Sequence, residues 1–298
     1  MEFKHLMAFA AVVRRNSFSR AAEDLFLSQP TVSMHIRQLE EELNSVLLVR
    51  TTKSLEITPK GREVYEYAVS ILSLRDKLTK NCTQSGEGVI TIGSSTVPSA
   101  YLLPEVLAAY SRMNQSVRFT VDQGDSRAIL EKLKDGLYDL GIIGMDPEDE
   151  QLTAVPFYRD TIVITTPYEP RFLKMKEKEA VPLEELLKEP VILREEGSAS
   201  KYAVDLFLKQ AGVSEASLNV TARINDPEAI KNMVAKGIGT AIMSDRAAAN
   251  YEKQKLLLCF PFPGEGCHRY FYLLQRKDGL MTERVQNFAG FLVDYFKA

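Results

Sequence analysis

Near residue 88 the chain changes its hydrophobic period, and a single chain with two periods must build two kinds of structure. From Met1 to about Thr58 the apolar residues recur at helical spacing. Leu6, Phe9, Ala10 and Val13 form one stripe, Ala21, Ala22 and Leu25 a second, and Val32, Ile36, Leu39 and Leu43 a third. Three short helices with short connections are predicted. Leu47 to Arg50 and Leu55 to Thr58 flank the polar Thr51-Thr52-Lys53-Ser54, which reads as a two-stranded wing. Pro59-Lys60-Gly61 then opens a longer helix to about Lys80, with Val64, Tyr67, Ala68, Ile71, Leu72, Leu74 and Leu78 on its apolar stripe. Such a stripe needs a partner, and a second copy of the chain is the simplest one. Cys82 to Gly88 reads as a short flexible hinge.

From Val89 onward strands and helices alternate: Val89 to Ser94, Pro98 to Met113, Val117 to Asp122, Arg127 to Leu133, and Asp139 to Gly144. A second set has strands near Ile162 to Thr165, Val191 to Leu193, Val220 to Ile224 and Thr240 to Met243, with helices near Ser200 to Gln210 and Glu228 to Lys236. A strand near Tyr270 to Leu274 and a helix from Thr282 to Phe296 close the chain. Alternation of this kind means a parallel sheet covered by helices. The expected fold is α/β. A helical head with a wing occupies residues 1–58, with its helix-turn-helix at 18–37, and a linker helix with hinge occupies 59–87. A two-lobed α/β domain follows over 88–298, with one lobe at about 88–161 and 269–298 and the other at about 162–268.

The formal charge of −3 over 298 residues excludes a protein that coats nucleic acid nonspecifically. Locally the balance differs. Residues 1 to 62 carry nine Lys/Arg against seven Asp/Glu, a net of +2. Cys82, Cys259 and Cys267 are odd in number and widely spaced, which fits a reducing cytosol rather than a disulfide framework. No metal site is expected, because the one Cys/His neighbourhood, Cys267-His268, points to opposite faces of a strand. An acid near the start, the Arg14-Arg15 pair after a short apolar stretch, and no long apolar run give the expectation of a soluble, cytoplasmic chain without membrane contact.

The segment from Ser17 to Glu40 carries the strongest local signal. Ser19 is expected to cap the first helix of a pair, Ala21 and Ala22 let the second helix cross closely, and Leu27-Ser28 makes the turn. Pro30 suits a first helical turn, where no amide hydrogen is needed. With Val32, Ile36 and Leu39 facing a core, Gln29, Pro30, Ser33 and Arg37 fall on the outward side. A short polar face near a helix N-terminus is what a recognition helix offers to base edges in the major groove. His35 sits between the two faces and is left out of the contact set.

These residues resemble the LysR-type transcriptional regulators. The resemblance is carried by Phe9, Ser17-Phe18, Ala21-Ala22, Leu25, Ser28-Gln29-Pro30, Val32-Ser33, Ile36, Leu39-Glu40, Leu43, Arg50-Thr51, Leu55, Thr58 and Gly61, and it extends over the whole chain. It implies a winged helix-turn-helix, a dimerising linker helix and a bilobal, periplasmic-binding-protein-like domain for a small co-inducer, with no cofactor. Its implied partners are double-stranded promoter DNA, a second copy as dimer or dimer of dimers, and RNA polymerase. Gln29, Pro30, Thr31, Ser33 and Arg37 are the implied groove contacts, and Lys53 on the wing reaches the minor groove or its phosphates. Two departures stand out: Met34 occupies a position where many relatives have Arg, and Leu47-Leu48-Val49-Arg50 replaces the usual Leu-Phe-Xaa-Arg.

In a bilobal α/β domain a ligand sits at strand carboxyl ends, near helix N-termini that favour anions. Two turns qualify, Ser94-Ser95-Thr96-Val97-Pro98 and Gly197-Ser198-Ala199-Ser200, although plain capping by serine and threonine explains either one alone. The resemblance implies that Ser94, Ser95, Thr96, Ser198 and Ser200 line a co-inducer cleft, with Gln123, Gly144 and Thr165 as further candidates. It also implies hinges near Thr161 to Thr166 and His268 to Tyr272. No Arg or Lys lies in either turn, so a small anion held by hydroxyls and amides is expected. Phe26 to Ser33 and Gln123-Gly124-Asp125-Ser126 look most like the family's sulfur or selenium subgroup. Two other classes fit the sequence less well. An enzyme lacks its motifs here: there is no Gly-Xaa-Ser-Xaa-Gly, no phosphate loop and no HExxH, and Gly237-Ile238-Gly239 lacks a third dinucleotide-binding glycine. A solute-binding receptor would share the two lobes but would not carry a DNA-reading head.

Overall fold

The structure is a computed structural model and describes residues 1–50, 55–83, 88–177, 183–195, 198–210, 212–279 and 281–297. The chain divides into two compact units, one built from Met1–Glu87 with Asp135–Leu137 and the other from Gly88–Lys134 with Tyr138–Ala298.

In the first unit α1 (Phe3–Arg15), α2 (Phe18–Leu25) and α3 (Gln29–Glu42) precede a hairpin of β1 (Leu48–Arg50) and β2 (Leu55–Ile57), and α4 (Pro59–Thr83) follows. The three predicted helices and the wing are all present. Asn16 and Phe26, both in the left-handed region, end α1 and α2 within one residue, which makes the connections short. The cap of α2 is Ser17, whose hydroxyl accepts from the Arg20 amide, and not Ser19, which lies inside the helix. Phe9, Val12, Ala21, Val32, Ile36, Leu39 and Leu47 are fully or almost fully buried in one core, with Ala68 of α4 closing it. The apolar stripe of α4 is therefore split. Val64, Tyr65, Ile71 and Leu72 pack against the core, while Tyr67, Leu74 and Leu78 stay exposed.

The second unit runs β3 (Gly88–Ser95), α5 (Thr96–Tyr101), α6 (Leu103–Met113), β4 (Val117–Gly124), α7 (Ser126–Lys134), β5 (Leu140–Ile143) and β6 (Leu152–Pro167). It continues with α8 (Pro170–Lys176), α9 (Leu183–Leu187), β7 (Val191–Arg194), α10 (Ala199–Gln210), β8 (Val220–Ile224), α11 (Pro227–Ala235) and β9 (Thr240–Ser244). Finally come α12 (Asp245–Lys253), β10 (Leu257–Pro261), β11 (Cys267–Arg276) and α13 (Glu283–Tyr295). The strand order is β4-β3-β5-β11-β6-β9-β7-β8, with β10 paired to β6.

The sheet is mixed rather than all parallel. β3 pairs parallel with β4 and β5, and β7 with β8 and β9, but β6 and β11 run antiparallel to each other from Leu152↔Arg276 to Ile162↔Cys267. One set of cores holds Ile90, Leu140, Phe157, Phe271 and Phe288, and another holds Ile162, Ile192, Phe172, Ile242 and Cys267. The cores thus change hands between 157 and 162 on β6 and between 267 and 271 on β11, and two α/β lobes share this strand pair. Two predicted elements differ in extent. The helix expected from Pro98 begins at Thr96 and breaks at Leu102, because Pro104 has no N–H to offer Ala100. The strand expected at Ile162 to Thr165 is the end of the 16-residue β6. Its first half pairs only with β11, an edge position that tolerates Pro156.

Candidate functional site

Each unit presents one candidate site. In the first, α3 starts under two overlapping devices: Ser28 Oγ accepts from the Thr31 amide at 3.2 Å, and Pro30 fills the first turn. The core side of α3 is locked by Val32, Ile36 and Leu39. Gln29, Pro30, Met34 and Arg37 are exposed on the opposite side, and Ser33 is half-buried between them. Gln29 Nε2 donates to Ser33 Oγ at 3.4 Å, and Arg37 Nε donates to Glu41 Oε1 at 2.9 Å on an exposed surface, a pair that is easily exchanged for a phosphate. Thr31 is half-buried, its hydroxyl 2.7 Å from that of Ser28, which places it in the helix cap. Lys53 lies outside the described residues.

His35 belongs to the core and not to the outward face. It is 6% exposed, and its ring centroid is 5.5 Å from that of the equally buried His5. Its Nδ1 has no hydrogen-bond partner among the described residues. Burial, and then the neighbouring His5 and Lys4, push the His35 imidazole below the ordinary histidine value. A lowered folded-state value means that the unfolded head binds more protons once the pH falls through about 6.5, so stability is full above that point and is lost as the pH falls toward the folded-state value. The urea midpoint of DNA-head unfolding is therefore expected to drop between pH 7.5 and 5.5, and to drop much less in His35→Leu. Equal pH dependence in the two proteins would remove His35 as the cause.

The second unit contains a cavity of about 940 Å³ at the carboxyl ends of β3, β4 and β7. Ser95, Thr96, Gln123, Ser198 and Ser200 all line it, so residues from both predicted turns meet in one place. Their hydroxyls are differently engaged. Ser198 caps α10 by accepting from the Lys201 amide at 3.2 Å, Ser200 accepts from Arg269, and the Ser95 side chain makes no capping bond to α5. The other candidates are not among the lining residues. Ser94 is fully buried and donates to the Ser95 carbonyl, and Thr165 is fully buried in β6 and donates to the Ala241 carbonyl at 3.2 Å. Gly144 sits behind the wall, where an added Cβ would lie 3.1 Å from Arg269 Nη1 and 3.2 Å from Ala199 Cβ. Gly197 lies outside the described residues.

Three arginines correct the expectation of a site held by hydroxyls and amides alone. Arg127 on α7, Arg194 at the end of β7 and Arg269 on β11 all line the cavity, together with Asp125 and Glu195. Arg194 is closed on itself, its Nε and Nη2 donating to the two oxygens of Glu195 at 2.9 and 3.0 Å. Arg269 and Asp160 form a buried cross-strand pair at 2.8 Å, and Asp160 Oδ1 accepts from Ser244 Oγ at 2.6 Å. None of these cations lies in either turn, so motif reading had no local signal for them. Tyr101 of α5, packed on the core of one lobe, donates at 2.6 Å to Glu228 Oε1 of α11 in the other, and Glu228 pairs with the fully buried Lys231. Burial pushes the Cys259 thiol up to about 12 and the Cys267 thiol up to about 11, which favours the protonated thiol at neutral pH.

A capped helix-turn-helix with a polar exposed recognition face, joined to a two-lobed α/β unit with a polar cavity, defines a DNA-binding regulator with a small-molecule domain. Comparison with known proteins agrees. Residues 3–62 match the bacterial regulatory helix-turn-helix protein, lysR family, and residues 83–297 match the LysR substrate binding domain. The chain belongs to the LysR family of transcriptional regulators. It is 30% identical over 295 residues to an uncharacterized HTH-type transcriptional regulator of Methanocaldococcus jannaschii, covering 98% of each chain. It is 27% identical over 296 residues to the RuBisCO operon transcriptional regulator of Allochromatium vinosum, covering 98% of this chain and 96% of the relative. Among solved structures, full-length CbnR complexed with its target DNA superposes with a TM-score of 0.66 at 20% identity, over 100% of this chain and 99% of that one. The CcmR regulatory domain of Synechocystis in complex with 2-PG gives 0.62 at 21% identity, over 71% and 98%. At these identities the two structures speak for the fold. No helix among the described residues is long and apolar enough to cross a membrane.

Proposed function

We propose that the protein is a cytoplasmic, dimeric or tetrameric regulator that binds promoter DNA through α3 and exchanges a small acid in the cavity of its second unit. The observation that carries this reading is the outward face of α3. Gln29 and Arg37 stand exposed on a helix whose opposite side is fixed in the core, so their geometry is set before DNA arrives. The family resemblance assigns Lys53 to the neighbouring minor groove or its phosphates. The uncovered Tyr67, Leu74 and Leu78 on α4 support self-association, which places two recognition helices about one helical turn of DNA apart. Ligand acts by its different affinity for two arrangements of this assembly, and RNA polymerase is the partner that reads the change.

For the pathway, the relative named as a RuBisCO operon regulator supports carbon metabolism over the sulfur or selenium subgroup that Phe26–Ser33 and Gln123–Ser126 resemble. The three cavity arginines support an acid as ligand. The test is a gel shift on the chain's own upstream region, titrated with sulfate, thiosulfate and O-acetylserine in one arm and 2-PG and organic acids in the other. Gln29→Ala is expected to lose about 1–3 kcal/mol of discrimination at one base pair, the worth of a bidentate contact to adenine. An unchanged base preference in that variant rejects the groove role of Gln29, and no shift with any upstream fragment rejects the function.

A further inference from the structure

The bonds of Arg269 come out one short. The residue stands directly across from Asp160 on the strand pair shared by the two lobes. Its Nε donates to Asp160 Oδ2 at 2.8 Å, its Nη1 donates to Ser200 Oγ at 2.9 Å, and the guanidinium carbon lies 4.7 Å from the centre of the Phe271 ring. The side chain is more than nine-tenths buried, and Nη2 has no hydrogen-bond partner among the described residues. A buried guanidinium nitrogen without an acceptor is unfavourable, and such orphans call for a missing partner. Arg269 is also part of the cavity wall, with Nη2 covered at its surface, so an acid on the cavity side meets Nη2 once the wall side chains around it give way. The other two arginines there differ: Arg194 is taken up by Glu195, and Arg127 is exposed.

We propose that Arg269 is the residue through which the cavity recognises charge, an oxygen of a small acid, carboxylate or phosphate, accepting from Nη2. The proposal rests on the reading of the cavity as the effector site. A neutral analogue of the same shape leaves Nη2 unpaired, so discrimination against it is built in. Gly144 is a positioning residue here, because a side chain in its place would crowd Nη1. The recognition is tied to the lobes by Asp160, which also holds Ser244, the cap of α12. A ligand on Arg269 therefore bears on the strand pair β6–β11 at the point where one core gives way to the other.

The experiment is a thermal-shift titration of the full chain at constant ionic strength with succinate, inorganic phosphate and neutral succinamide. At least one acid is expected to raise the melting temperature while succinamide does not, and the acid that works distinguishes carboxylate from phosphate. Arg269→Lys keeps a charge facing Asp160 but loses the second terminal nitrogen, and is expected to bind that acid about tenfold more weakly. Ser95→Ala/Thr96→Ala tests the cavity by itself. If that variant binds weakly while Arg269→Lys matches wild type, the cavity stands and the role of Arg269 is overturned. If both match wild type, the acid binds elsewhere and both readings fall. Should neither acid stabilise the wild type, the role of Arg269 is overturned, and the cavity is decided by the wider ligand titration on DNA. Where Arg269→Lys fails to fold, Arg269→Gln/Asp160→Asn removes both charges together and is expected to respond alike to succinate and succinamide; retained preference for the acid overturns the proposal.

Discussion

Asp160→Ala is expected to lower the melting temperature of the second unit by on the order of 10 °C. The carboxylate is fully buried and accepts from two side chains, Arg269 and Ser244. Its removal leaves a guanidinium more than nine-tenths buried with Ser200 as its one remaining hydrogen-bond partner among the described residues. An uncompensated buried charge of this kind costs about 3–5 kcal/mol, against a total stability of only about 5–15 kcal/mol. For a unit of this size each kcal/mol shifts the transition by about 2–4 °C. The double variant Asp160→Leu/Arg269→Met removes donor and acceptor together and is expected to melt well above the single variant, since apolar replacements of a buried pair are often neutral. Calorimetry of wild type, Asp160→Leu, Arg269→Met and the double variant closes a cycle that gives the coupling directly. A single variant within 2 °C of wild type, or a double variant less stable than the single, would show that the pair is not the fastening between β6 and β11.

The same pair shows where the sequence could be read and where it could not. The helix-turn-helix was legible because its determinants are local: caps act over three residues, the stripe recurs every three or four, and Pro30 marks a first turn. Even so, Ser17 and not Ser19 is the cap, since two serines two apart are equally able to accept an amide and the left-handed Asn16 decides between them. Ser95, Thr96, Ser198 and Ser200 were found by their place at strand ends, a rule that needs only element order. Arg269 follows no such rule. It meets Asp160 across 109 residues of chain, through a strand register that no window of sequence contains. Ser94 misses the cavity that Ser95 lines because successive strand residues face opposite sides, and Thr165 misses it because β6 contributes no lining residue at all. The short α12 and β10 were not separated from their neighbours in the sequence, and β10 takes its place by pairing on β6.

Phe9→Ala is expected to abolish DNA binding while leaving the second unit folded and able to take ligand. Phe9 is the largest fully buried side chain of the head, sits at the centre of the core that holds α1 against α3, and meets the ring of Tyr65 on α4 edge-on at 6.5 Å. Truncating a buried phenylalanine costs about 3–5 kcal/mol, from lost burial and from the void left behind. The head is a small unit whose core draws on a dozen buried residues, so a loss of that size removes most of its margin. The orientation of Gln29 and Arg37 depends on the same core through Val32, Ile36 and Leu39, and a loosened α3 no longer presents them together. The core of the second unit is separate and contains none of these residues. Two unfolding transitions are therefore expected, of which only the head's moves. Gel shift and calorimetry on the same preparation test this. Wild-type DNA affinity with an unmoved first transition contradicts the packing argument, and joint displacement of both transitions contradicts the independence of the two cores.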